Sequence, residues 1–245
     1  MTKSSNDSFT QGERWLERRG FNLRAVLDVC AFPRDLAVAW DQTHIPRIPG
    51  QRLVLLGMGG SALWDWMTTQ DQSDDVDPFD AVSRWAALEV AERFWGDPTP
   101  RLLYPGDALI PLQQLGRWAG WSVPSPLGLD VSPIFGPWLA FRAAVLTAAA
   151  LPFSERGPAV SPCDTCEDPP CIRTCPVGAV REKEVFSRQR CLEQRLEDQA
   201  GCGIQCHSRL ACPVGAKWRY PQRQLHYHGE RSLRSLLAWK DTSGR

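Results

Sequence analysis

The sequence has no excess of charge of either sign, because 28 lysine and arginine residues balance 28 aspartate and glutamate residues. Overall charge therefore gives no indication of bulk nucleic-acid binding. No apolar run reaches the ~18 residues that a membrane span needs, so we expect no membrane partner. The opening Met-Thr-Lys-Ser-Ser contains no apolar signal stretch. We therefore expect a cytoplasmic protein whose thiols stay reduced.

Cysteine, by contrast, is concentrated in one segment. Of the nine cysteines, only Cys30 lies outside residues 163–212. The rest form two runs that each end in Cys-Pro-Val-Gly-Ala, so the segment is an imperfect internal duplication. The first run is Cys163-x2-Cys166-x4-Cys171-x3-Cys175, and the second is Cys191 followed by Cys202-x3-Cys206-x5-Cys212.

This spacing is typical of two 4Fe-4S clusters. In two-cluster ferredoxins, the cysteine that precedes proline in one run ligates the cluster of the other run. Applied here, the rule exchanges Cys175 and Cys212 between the runs. The first cluster is then predicted to take Cys163, Cys166, Cys171 and Cys212, and the second Cys175, Cys191, Cys202 and Cys206.

The thiols admit three other interpretations. Disulfides are disfavoured in a reducing compartment. Two structural zinc sites would favour well-separated pairs of cysteines rather than four within thirteen residues. Unrelated buried thiols are improbable at this density, although the isolated Cys30 has mostly apolar neighbours and is predicted to be a buried structural thiol.

The chain divides into three segments by composition. Strand and helix patterns alternate up to about residue 151, which indicates an α/β layer domain over residues 1–151. Residues 152–220 are predicted to be the cluster domain, entered through a linker over 152–162. Residues 163–220 have few large aliphatic side chains, so metal–sulfur bonds must supply much of their folding energy. Residues 221–245 are predicted to be a helical C-terminal extension.

Within the first segment, the patterns predict disorder over residues 1–10 and helices over 11–19, 23–29, 34–40, 62–67, 79–95 and 109–118. Strands are predicted at 52–57 and 101–104. The apolar run over 137–153 is interpreted as a buried helix.

Residues 120–142, which read GWSVPSPLGLDVSPIFGPWLAFR, resemble a segment shared by epoxyqueuosine reductases, reductive dehalogenases and cobalamin C-type cobalamin-processing proteins. The cysteine segment is similar to that of epoxyqueuosine reductase in particular. The shared features are a ferredoxin run, an isolated Cys191 followed by Leu-Glu-Gln-Arg-Leu-Glu, a Gly-Cys pair and a closing Cys-Pro.

This resemblance implies a nitroreductase-related α/β domain followed by a small ferredoxin-like domain with two 4Fe-4S clusters. It implies a protein that passes electrons from a ferredoxin-type or flavodoxin-type donor through the clusters to a cofactor or substrate. The cofactor would be a corrinoid such as cobalamin. Separately from the resemblance, the five basic residues between Lys217 and Arg234, against one acidic residue, make RNA a further candidate partner, with a solvated face as the alternative. The residues that would contact the corrinoid are Trp121, Ser125, Pro126, Phe135 and Trp138.

The catalytic acid of that family has one weak candidate, Asp107, whose alternative is an exposed turn residue. Two functions of other classes remain open at this point. The chain could be a simple ferredoxin-type electron carrier without a corrinoid, or a zinc-stabilised interaction protein.

Overall fold

The structure, a computed structural model, describes residues 3–70, 77–155, 160–182 and 185–243. The chain divides into two compact units. The first unit comprises residues 1–121 and 139–159, and the second comprises residues 122–138 and 160–245. The resemblance segment is thus cut in two, since its residues 122–138 group with the cysteine-rich part of the chain.

The first unit contains a four-stranded sheet and five helices among its described residues. The strands are β1 (Leu23–Asp28), β2 (Arg52–Gly59), β3 (Arg101–Tyr104) and β4 (Leu139–Thr147). The helices are α1 (Lys3–Glu17), α2 (Arg34–Asp41), α3 (Ala62–Thr68), α4 (Pro78–Arg93) and α5 (Leu112–Trp118).

The sheet has the order β1-β2-β4-β3, and each neighbouring pair is antiparallel. The expected mixture of helices and strands is confirmed, with an antiparallel sheet. Central strand β2 is buried almost throughout, as strands covered on both faces are, and β4 is buried from Ala143 onwards. A bulge between Leu56 and Gly57 shifts the register of β2 against β4.

Three predictions for this unit are wrong. The predicted helix at 23–29 is strand β1, and the predicted buried helix at 137–153 contains strand β4. Both runs lack the period-2 alternation of a half-buried strand, and β4 also contains three alanines, which favour helices. Pairing in the sheet overrides that propensity. The region 1–10 was expected to be disordered, yet α1 begins at Lys3.

The second unit has short helices among its cysteines and one long helix after them. Its described residues contain four α-helices, α6 (Pro170–Arg173), α7 (Arg188–Glu197), α8 (His207–Ala211) and α9 (Gln222–Ser243). Residues 122–138 contribute two isolated bridges, Val123 with Val131 and Ser132 with Gly136. Across the described part of the chain, none of the helices combines the length and the apolar character needed to cross a membrane.

Candidate metal centre

The first set of thiols surrounds a small cavity of the second unit. This cavity has a volume of about 120 Å³. Burial raises the pKa of Cys163 to about 11, and the neighbouring thiolates add to the effect. Because each thiolate opposes ionisation of the others, the four sulfurs form one electrostatic group. The cysteines lining the cavity are Cys163, Cys166, Cys171 and Cys212.

A second set of thiols lines a separate cavity of about 450 Å³. Burial again raises the pKa of Cys202 to about 11, followed in size by the charges of Asp198 and of the other three thiolates. Burial also raises the pKa of Cys191, where Arg195 acts in the opposite direction. The cysteines lining this cavity are Cys175, Cys191, Cys202 and Cys206.

Two cysteines therefore lie with the opposite run. Cys175 closes the first run in sequence but lines the second cavity, and Cys212 closes the second run but lines the first cavity. The groups of thiols brought together in the structure are the two sets that the ferredoxin rule exchanges.

Backbone N–H groups point at the two exchanged sulfurs. The Ala179 N–H donates to Cys175 Sγ at 3.2 Å. Burial alone would raise the pKa of Cys175, but hydrogen bonds from Val180, Val177 and Ala179 bring it below the ordinary value. Burial raises the pKa of Cys212, and a hydrogen bond from Val214 opposes it. Each Cys-Pro-Val-Gly-Ala turn thus presents N–H donors to a sulfur, as cluster ligands require.

The donor chemistry of both cavities fits a metal core. Four cysteines line each cavity, and burial raises the pKa of Cys163 and of Cys202 to about 11. Neighbouring thiolates oppose one another's ionisation, and a cationic core relieves that repulsion. The eight cysteines leave no thiol of either set unused.

The loop between Cys202 and Cys206 is held from two sides. Arg195 of α7 donates through Nη2 to the Gly203 carbonyl oxygen at 3.1 Å and to Ser232 Oγ of α9 at 3.0 Å. Gly229 of α9 packs so closely that a Cβ there would lie 2.0 Å from the Ile204 carbonyl oxygen. The C-terminal helix therefore forms part of the wall of the second cavity.

Residues 122–138 provide further walls. Ser125 and Pro126 line the first cavity, and Ser125 Oγ donates to the Leu129 carbonyl oxygen at 2.7 Å. Phe135 packs on Trp218 with ring centroids 5.1 Å apart. These residues were predicted to contact a corrinoid, and here they border or support the thiol sets.

Trp138 lines the second cavity and is fully buried. Its ring lies 5.3 Å from that of Tyr220, and the Arg209 guanidinium lies 4.7 Å above it. Arg209 also donates twice to the Pro137 carbonyl oxygen, at 3.1 and 2.7 Å. This contact joins α8, which follows Cys206 directly, to Pro137 within the segment 122–138.

Trp121 and Asp107 belong to the first unit. Trp121 stacks on Phe141 at 6.1 Å and leaves no room for a Cβ at Gly57, which would lie 2.9 Å from its ring. Asp107 is exposed in the turn after β3. Trp121 thus lies in a different unit from the other four predicted corrinoid contacts, and all six assignments stay predictions.

Sequence reasoning misjudged Cys30, which lies outside the site, and missed one residue of the site. Cys30 was expected to be buried but is exposed. Asp198 was not singled out, although its carboxylate accepts hydrogen bonds from the N–H groups of Gly201 and Cys202. The signal was an aspartate four residues before a ligand cysteine, with glycine between them, which is the pattern of a side chain that closes a turn.

The comparisons with known proteins agree with this architecture. No protein-family model matches the chain, and no curated protein matches its sequence. Among solved structures, an epoxyqueuosine reductase from Bacillus subtilis is 11% identical with a TM-score of 0.59, covering 87% of this chain and 67% of that one. An epoxyqueuosine reductase with an epoxyqueuosine-modified tRNA-Tyr stem loop is 13% identical with a TM-score of 0.58, covering 92% and 69%.

A third structure is of another class. The B12-trafficking protein CblC from C. elegans, a homologue of human MMACHC, is 15% identical with a TM-score of 0.50 and covers 96% of this chain and 97% of that one. At these identities the likeness is one of fold. The resemblance inferred from residues 120–142 is confirmed at that level: this chain has the fold shared by epoxyqueuosine reductases and CblC.

Proposed function

We propose that this chain is an iron–sulfur redox protein that passes electrons through two 4Fe-4S clusters to a corrinoid, or to a substrate, in the N-terminal domain predicted over residues 1–151. The observation that carries the proposal is the grouping of eight cysteines into two sets, with Cys175 and Cys212 exchanged between the runs. A duplicated ferredoxin segment produces this exchange. Zinc sites have no such requirement.

In this proposal each residue of the site has a role. One set of cysteines holds each cluster, and the Cys-Pro-Val-Gly-Ala turns supply N–H donors to the sulfurs. When bound, the clusters supply one-electron transfer. Trp138 and Tyr220 exclude water from one side of the second cavity, since both are buried. Arg209 holds Trp138 in place through its stacking contact.

The corrinoid part of the proposal is supported by fold. The chain matches CblC, a B12-trafficking protein, over almost its full length, and it matches epoxyqueuosine reductases over most of its length. We propose Trp121, Ser125, Pro126, Phe135 and Trp138 as candidate contacts, and Asp107 as a candidate acid.

Two macromolecular partners belong to the proposal. The first is an electron donor, which we propose is a protein of the ferredoxin or flavodoxin type, because the clusters must be re-reduced after each transfer. RNA is the other candidate, supported by the reductase structure that holds a tRNA stem loop and by four exposed basic residues between Lys217 and Arg234. These residues are Lys217, Arg219, Arg223 and Arg234.

The test begins with anaerobic purification of the whole chain and measurement of iron, acid-labile sulfide, zinc and cobalt. We expect about eight iron and eight sulfide per chain, as two 4Fe-4S clusters require. The protein is then titrated with cob(II)alamin and followed by electron paramagnetic resonance. A change in the cobalt signal that saturates at one equivalent supports the corrinoid role.

Each alternative gives a different result in the same experiment. A simple electron carrier contains both clusters and leaves the cobalt signal unchanged. A zinc-stabilised interaction protein contains two zinc ions and neither iron nor sulfide, which would overturn the redox proposal altogether.

A further inference from the structure

Asp198 occupies a position next to the second thiol set that the roles above do not explain. It follows directly after α7, between Cys191 on that helix and Cys202 on the next loop. Its two carboxylate oxygens accept separate hydrogen bonds, Oδ1 from the Gly201 N–H at 3.0 Å and Oδ2 from the Cys202 N–H at 2.9 Å. The carboxylate is thus fixed beside the backbone of a predicted ligand.

The same carboxylate also lies close to the sulfur itself. One ligand atom each of Asp198, Cys202 and His207 lies within 4.8 Å of the other two. Asp198 is half-buried, and Gly201 allows the close approach, because a Cβ there would lie 2.3 Å from Asp198 Oδ2. Any other residue at position 201 would push the carboxylate away from the loop.

The charge of Asp198 is stabilised where it stands. Both backbone N–H groups, of Gly201 and of Cys202, hydrogen-bond to the carboxylate, and such bonds stabilise its charged form. A fixed negative charge therefore faces a sulfur that is proposed to bind iron.

The first thiol set has a weaker counterpart. Asp164 follows Cys163 but is exposed, so solvent screens its charge. In the second set, Arg195 donates to the Gly203 carbonyl oxygen and to Ser232 Oγ. The carboxylate fixed beside Cys202 therefore distinguishes the second set from the first.

We propose that Asp198 sets the reduction potential of the second cluster, lowering it by placing a carboxylate beside the Cys202 ligand. Reduction adds negative charge to a cluster, and a nearby anion opposes that addition. The inference rests on the proposed function, since it requires a cluster in the second set. It deepens that proposal, because the second cluster becomes a stronger reductant than it would be without the charge of Asp198.

The test is a redox titration of the anaerobic holoprotein, followed by electron paramagnetic resonance. We expect Asp198→Asn, which removes the charge and keeps one acceptor oxygen, to raise the midpoint potential of one cluster. The equilibrium constant for its one-electron reduction should rise roughly tenfold, which corresponds to about 59 mV. The other cluster should not move.

Two further variants separate charge from loop geometry. Asp198→Glu keeps the charge but alters the hydrogen bonds, so it should leave the potential nearer to that of the unmodified protein than Asp198→Asn does. Asp164→Asn removes an exposed charge near the first set. It should not shift the midpoint potential that Asp198→Asn raises. An equal shift in either control overturns the inference.

The remaining outcomes are also decisive. If Asp198→Asn keeps eight irons and shows unchanged potentials, Asp198 only closes the turn and the inference fails. Loss of the second cluster in Asp198→Asn also counts against it, because the carboxylate would then hold the loop rather than set a potential. If the unmodified protein contains no iron, the proposed function itself has failed.

Discussion

Gly136 and Gly215 bring two backbone segments of the second unit into direct contact. A Cβ on Gly136 would lie 2.0 Å from the Val214 carbonyl oxygen, and one on Gly215 would lie 2.3 Å from the Phe135 carbonyl carbon. Both glycines have positive φ, at 58° and 67°. The segment 122–138 thus packs on the turn that follows Cys212, which explains why two distant glycines are needed at one place.

Alanine at Gly136 or Gly215 should destabilise the second unit. The positive φ costs about 1–2 kcal/mol, and the backbone clash adds to it, since neither carbonyl can move without displacing the Cys212 turn. We expect reduced iron content and a lower melting temperature for the iron-bound protein. Gly50→Ala is the control, because Gly50 has φ 86° but open space around its Cβ. An equal effect in all three variants would contradict the contact.

Paired serine substitutions test the exchange of cysteines. Cys163→Ser and Cys212→Ser should each remove the first cluster, and combining them should remove nothing more, because both belong to one set. Combining Cys163→Ser with Cys175→Ser should remove both clusters. Iron content and electron paramagnetic resonance of the reduced proteins measure the outcome. If the second combination retained a full cluster, Cys175 would belong to its own run.

Gly229→Ala should separate α9 from the Cys202–Cys206 loop. In an exposed helix this change would stabilise by about 1 kcal/mol, so a loss of stability reports the contact with Ile204 alone. We expect faster decay of the second cluster in air, measured by its visible absorbance, because the helix lines that cavity. Ser235→Ala, at an exposed position of the same helix, should decay at the rate of the unmodified protein. Equal rates in both variants would rule out a protective role for α9.

Asp97 links the stability of the first unit to pH. It is 6% exposed and accepts hydrogen bonds from Thr147 Oγ1 at 2.6 Å, from the Ala148 N–H at 3.0 Å and from the Thr99 N–H at 3.0 Å. Burial would raise its pKa, but these bonds bring it below the ordinary value. The stabilisation is therefore present above about pH 4 and is lost as pH falls through the folded-state value.

Asp97→Asn should accordingly cost about 1–3 kcal/mol at neutral pH, and the deficit should shrink below about pH 4. Urea unfolding followed by tryptophan fluorescence measures the difference at each pH. Asp107→Asn removes an exposed carboxylate of the same unit and should leave stability unchanged. A deficit for Asp97→Asn that stayed constant down to pH 2 would show that the charge of Asp97 contributes nothing.

Local patterns predicted some elements well and others badly. The helix at 34–40 and the strand at 101–104 are confirmed, because proline and glycine mark their boundaries. Strands β1 and β4 were predicted to be helices, since short apolar runs carry no period that separates the two structures. Both segments become strands because each of them pairs with β2 in the sheet.

The candidate site was also predicted only in part from the sequence. Cysteine spacing indicated two sets of thiols, because ligands close in sequence must converge on one core. The role of 122–138 as a wall of the thiol cavities left no local signal, since it depends on contacts with residues more than seventy positions away. The position of Asp198 likewise depends on the folded loop, in which it accepts hydrogen bonds from the N–H groups of Gly201 and Cys202.

The amino-acid sequence by itself determined which cysteines could act as metal ligands and how the eight thiols divide into two sets, since both follow from spacing along the chain. The tertiary structure alone decided that strands replace the predicted helices, that residues 122–138 join the cysteine-rich unit, and which charges face which sulfur. These features arise from pairing and close packing between distant segments, whose energies depend on neighbours that no local pattern contains.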